Sequence, residues 1–148
     1  MKPEIERVLE VCAVALMGDV APHVAPAYRQ ASVFGTALLL TSIREELDRI
    51  ADRRVEENRA LRELFASAAS VVADPDLRSR LAEAAAAGEP GFRISALEAR
   101  NARLRQLLIE LHAHVETLAS PEARRIESEI WRELAASTVR RRLSLNAF

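Results

Sequence analysis

Between Ile94 and Leu118 the apolar residues fall at 94, 97, 104, 108, 111, 115 and 118. Steps of three and four keep side chains on one face of a helix. Only position 101 interrupts the series, and it holds an asparagine. The pattern predicts a long helix with one seam, on which the other elements pack. The capping-box spacing of Ser95 and Glu98 sets its start, with Ile94 just outside, and Ala119 marks its end.

The same reading applies to the rest of the chain. Ile5, Leu9, Cys12, Leu16 and Val20 repeat at four and three, with Glu6, Arg7 and Glu10 opposite. This predicts a first helix over about residues 3–18, with Pro3 in its first turn and Gly18-Asp19 ending it. Cys12 lies on the apolar face and reads as a small core residue. The Ala-Pro pairs at 21–22 and 25–26 are expected to keep the chain extended.

A second helix runs from Pro26 to about Ala73. Its seam passes through Phe34, Leu38 or Leu39, Ile43, Leu47 and Ile50, and resumes at Asn58, Leu61, Phe65, Ala68 and Val72. Between them lies the charged segment 52–57, in which only Val55 is apolar. A straight helix of that length would measure about 70 Å. A kink or a break near Gly35 or within 52–57 is therefore expected, unless the charged segment is a solvated stretch that changes the buried face.

Asp74-Pro75 and Ser120-Pro121 each place a capping residue before a proline at the first helical position. They open helices over about 75–87, anchored by Leu77 and Leu81, and 121–142, packing through Ile126, Ile130, Trp131 and Leu134. Gly88-Glu-Pro-Gly91 is a turn. Residues 143–148 read as a tail that frays or docks on a partner. The expected fold is all-α: one bundle of four to five helices over 1–148, with the 94–118 helix central.

Two asparagines stand out. Asn58-Arg-Ala-Leu61-Arg62-Glu-Leu64-Phe65 resembles Asn101-Ala-Arg-Leu104-Arg105-Gln-Leu107-Leu108, 43 residues on. Each asparagine takes the phase of an apolar seam residue. A polar amide in a seam costs stability unless paired, and a paired one fixes register or oligomer state. Helix 75–87 is a reversal, so the two long helices can run parallel. Asn58 and Asn101 are then expected to bond each other or neighbouring side chains, within one chain or at an interface between copies.

Composition sharpens this picture. Apolar residues make up 49% of the 148 and charged residues 29%, a globular balance. The net charge of −1 gives no overall pull toward nucleic acid, and Arg140 to Arg142 alone make a weak footprint for it. Twenty of the 21 basic residues are arginine, a bias that GC-rich codon usage explains. One cysteine permits neither an internal disulfide nor a multi-cysteine metal site. No basic leader segment opens the chain, and its apolar runs are too short to span a bilayer. A soluble cytoplasmic protein is expected.

Little points to catalysis. Four scattered glycines build no phosphate-binding loop, and no cofactor is implied. His112 and His114, two apart on a helix, face about 200° from each other and cannot share a metal. Glu110 with His114 and His112 with Glu116 have i, i+4 spacing; each could be half a metal site but reads as a surface ion pair, so no metal is assigned. A bend carrying His23, Tyr28 and Arg29, with Trp131, is the candidate pocket.

Residues 5–50 carry an amphipathic helix, the bend Asp19-Val-Ala-Pro22, and an apolar run ending in Ile43-Arg-Glu-Glu-Leu47. In these features the chain resembles a group of small all-helical bacterial proteins encoded beside aminoglycoside-phosphotransferase-like kinases and acyl-CoA dehydrogenases. The resemblance implies an accessory role beside a neighbouring enzyme and carries over no functional residue. The leading expectation is a non-enzymatic interaction protein, a homodimer or a partner subunit. The alternative is a small-molecule-binding bundle or enzyme with its pocket at the bend.

Overall fold

The computed structural model describes residues 4–89 and 91–144. Among these the protein is helical throughout, with no strand: α1 (Ile5–Ala15), α2 (Ala27–Ala68), α3 (Pro75–Ala86), α4 (Ile94–Glu116) and α5 (Pro121–Arg140). None of these helices is long and apolar enough to cross a membrane.

Where the sequence suggests one bundle, the contacts fall into two compact units. One comprises the described residues up to Ile50 with Arg142 to Ser144; the other is Ala51–Arg141. The helix α2 contributes its first half to one and its second half to the other.

The second unit closes a core of its own. Leu61, Phe65 and Val72 from α2 and its exit, Leu77 and Leu81 from α3, Leu104 and Leu111 from α4, and Ile126 and Ile130 from α5 are all buried in one cluster. The helix α4 buries seven residues along its seam, including Asn101. Caps fix where the helices begin. Asp74 Oδ1 accepts from the amides of Asp76 (2.9 Å) and Leu77 (3.4 Å), and Ser120 Oγ accepts from that of Ala123 (3.1 Å).

Several boundaries differ from expectation for identifiable reasons. The helix α4 starts at Ile94, not Ser95, because the carbonyl of Arg93 already accepts from the amides of Ala96 and Leu97 at 3.0 Å. Gly91, at φ 137°, takes the backbone conformation that turns the chain into it. Pro90 and residues 145–148, parts of the expected turn and tail, lie outside the described residues. At the other end of the chain, α1 does not stop at Gly18. It continues as a π-helical turn, Leu16–Val20, and a 3-10 turn, Ala21–His23, so Ala21-Pro22 is not extended.

The helix α2 runs from 27 to 68 with no break at either place where a kink or a break was expected. The charged segment is not wholly solvated: Asp52 and Glu56 are exposed, but Arg53 and Glu57 are buried, the latter completely.

Candidate functional site

The second unit is keyed by a buried carboxylate. Glu57 lies one turn before Leu61, so the α2 seam carries its side chain into the interior beside Asn58. Arg141 grips it at both oxygens, Nε to Oε1 and Nη2 to Oε2, each at 2.8 Å. Ser137 Oγ donates to Oε1 (3.1 Å) and Arg54 Nη1 to Oε2 (3.0 Å), while Arg105 Nη2 stands 3.6 Å from Oε2.

Asn101 Nδ2 donates to Asn58 Oδ1 at 3.0 Å and lies 3.4 Å from Glu57 Oε2. Its own carbonyl oxygen accepts from Arg105 Nε at 3.0 Å. Asn58 Nδ2 in turn donates to Glu89 Oε2 (3.1 Å). The two asparagines therefore meet inside one chain, with their amides satisfied there.

The pairings set directions as well as neighbours. Arg54 meets Glu98 and Asn58 meets Asn101, so α2 and α4 run parallel with an offset of 43 to 44 residues. Arg105 meets Ser137 while His112 meets Trp131, so α4 and α5 run antiparallel.

Burial alone pushes the Glu57 carboxyl up. The paired hydrogen bonds and charge of Arg141, with Ser137 and the Arg105 guanidinium, outweigh it and hold the group down at about 2. A carboxylate ionised this firmly, with both oxygens engaged, is a poor proton acceptor near neutrality. It acts as a lock between three helices.

The first unit is built differently. Glu10 of α1 lies 3.9 Å from Arg44 of α2, and Gln30 Nε2 donates to the carbonyl of Ala21 (2.9 Å). These ties fold α1 back antiparallel along α2. Ser144 joins the same unit, its amide and hydroxyl donating to the Glu45 carboxylate, which holds that carboxyl below its usual range. The tail is thus docked on its own chain as far as Ser144.

Only Ala13, Ala21 and Ala37 are buried in this unit among the described residues. Twelve large apolar side chains are exposed: Ile5, Val8, Val11, Val14, Met17 and Val20 before the bend, and Tyr28, Phe34, Leu38, Leu39, Ile43 and Leu47 on α2. Cys12 is exposed too, contrary to its reading as a core residue. The buried position is Ala13, a further about 100° around the helix.

The candidate pocket residues divide between the units. His23, Tyr28 and Arg29 belong to the first, where Tyr28 is 67% exposed and the Arg29 guanidinium sits 5.9 Å from its ring centre. Trp131 belongs to the second and is 56% exposed, its ring edge-on to His112 at 5.3 Å. It is not the packing residue that the α5 seam suggests.

Sequence reasoning missed Glu57, Arg54, Arg105, Ser137 and Arg141. Positions 57, 61, 64 and 68 continue one stripe on α2, and 126, 130, 137 and 141 continue another on α5. Polar letters concealed both continuations. Arg140, one of the three arginines of the 140–142 cluster, is engaged by Glu133 at 2.8 and 2.9 Å.

The fold and this arrangement define an all-helical protein with a self-sufficient bundle and an apolar helical hairpin. Comparison with protein-family models, curated proteins and solved structures yields no match for the chain.

Proposed function

We propose that the protein is a non-enzymatic helical interaction protein that self-associates, a second copy covering the apolar face of α1 and the first half of α2. One observation carries this reading: a hairpin with an all-alanine interior exposes twelve large apolar side chains. Side chains of this size and exposure leave on the order of 1,000 Å² accessible, against about 800 Å² per partner in a standard stable interface and a few hundred in an ordinary surface patch.

The occupant is read from charge. Between Val11 and Ile43 the chain carries one acidic residue, Asp19, and one arginine, Arg29. Such a face offers no handle to nucleic acid or to a strongly charged protein. It is complementary to itself, and two such hairpins make a four-helix arrangement with a shared apolar interior. Residence in a bacterial cytoplasm and an accessory role beside a neighbouring enzyme belong to the same reading. A pocket at His23, Tyr28 and Arg29 has less support, since Tyr28 stands largely in solvent.

The test is light scattering on a size-exclusion column for the wild type and for Leu39→Glu, with alkylation of Cys12 followed across a dilution series. Leu39 is 64% exposed, so a glutamate there leaves the single chain intact. The reading expects twice the 16.4 kDa chain mass for the wild type, the single mass for the variant, and Cys12 reactivity that rises on dilution. A wild type of single-chain mass at all concentrations sinks it.

A further inference from the structure

The turn from α4 into α5 carries a group of side chains unrelated to the apolar face. His112 and Glu116 are one turn apart on α4 and share a face; Glu127 reaches the same place from α5. One donor atom from each lies within 4.8 Å of the others. His112 Nε2 stands 3.5 Å from Glu116 Oε1. Donors at about 2.1 Å from a tetrahedral zinc are about 3.4 Å apart, so this separation is that of two ligands on one ion.

Three further observations point to a cation. His112 Nε2 is shielded from solvent and has no hydrogen-bond partner, a state that costs about 1–3 kcal/mol if nothing binds it. Among the described residues no arginine pairs with Glu116 or Glu127, in a chain with twenty arginines that engage many of its other carboxylates. Glu116 is the last residue of α4, where the dipole of a 23-residue helix favours positive charge. The ring of Trp131, at 87° to that of His112, fixes the imidazole's orientation.

We propose that His112, Glu116 and Glu127 bind one divalent transition-metal ion of the zinc class. One imidazole and two carboxylates suit such an ion, their two negative charges balance it, and three protein ligands leave a coordination position to water. The i, i+4 pair on α4 is half of the site; the antiparallel pairing of α4 with α5 supplies the rest.

Trp131 is the chain's only tryptophan and touches the proposed ligand, so it reports on the site directly. The experiment titrates the full chain with Co²⁺, following Trp131 emission, and then competes with Zn²⁺. Expected are saturable quenching at one ion per chain, reversal by Zn²⁺, and affinity reduced about tenfold or more in Glu127→Gln and in His112→Ala. The glutamine variant keeps the His112–Trp131 contact, so its loss of affinity is not a packing effect. His114→Ala and His23→Ala should bind as the wild type does. Quenching that never saturates, that survives unchanged in Glu127→Gln, or that disappears in His114→Ala overturns the site.

Discussion

The two units solve the same problem in opposite ways. In Ala51–Arg141 the main apolar seams and the Glu57 carboxylate find their complements within the chain: leucines meet leucines, and Glu57 meets Arg141, Ser137 and Arg54. In the first unit the interior is three alanines and the large side chains face outward. Burying apolar area is the main stabilising term for a small bundle, so stability is concentrated in the second unit. What the first unit offers is surface. Similar helical sequence thus divides into a part that buries its large side chains on itself and a part that leaves them exposed.

The comparison breaks first at Glu57. Replacing it with alanine leaves Arg54, Arg105 and Arg141 without their shared carboxylate, and the expected loss is about 3–5 kcal/mol in a denaturant titration. A loss below about 1 kcal/mol would show that the lock is ornamental.

Acid acts on the same group. The Glu57 carboxyl falls from 4.5 in the unfolded chain to about 2 in the folded one. Its contribution is therefore fully present above about 4.5 and is lost as pH drops toward 2. Thermal melts should show a decline across that window that is shallower in Glu57→Gln. Parallel slopes in the two proteins would assign acid lability elsewhere.

The asparagine pair comes next. Asn101→Leu should cost about 1–3 kcal/mol by stranding Asn58 and Arg105, and a double-mutant cycle with Asn58→Leu should return a coupling of about 0.5–3 kcal/mol. Additive effects would mean that the 3.0 Å bond carries little. Because both amides are satisfied within the chain, Asn101→Leu should leave oligomeric mass unchanged, whereas Leu39→Glu should alter mass. The smallest effect in the bundle is Ser120→Ala, about 1 kcal/mol from the α5 cap. In contrast, exposed positions of the hairpin such as Val14→Ser should shift single-chain stability by no more than about 0.5 kcal/mol.

The same contrast governs what could be read from the sequence. Helices with apolar seams and proline-preceding caps were legible, because spacing and capping chemistry are local. The Asn58–Asn101 pairing was legible too, since the 43-residue offset between similar octets is the offset at which α2 and α4 align. Glu57 was not, because among the three carboxylates of the run 52–57 it is set apart from the exposed Asp52 and Glu56 largely by Arg105 and Arg141, more than 40 residues away. Cys12 was misplaced because the apolar face of α1 is wide and runs from Ala13 to beyond Cys12, so the pattern does not single out the position that is buried. Glu127 joined His112 and Glu116 only through the packing of two helices, which no spacing along one helix reveals.

The separation along the chain between Glu57 and Arg141 has a kinetic consequence. Their bond spans 84 residues, and contacts between such distant positions must wait until the intervening helices have assembled. The lock is then expected to close after the rate-limiting step of folding. Weakening it by Arg141→Gln should hasten unfolding while leaving the refolding rate nearly as it was, so both limbs of a chevron plot need measuring. A slowed refolding limb would instead place Glu57 in the nucleus. On the first outcome, this ion pair sets how long the folded bundle lasts rather than how fast it forms.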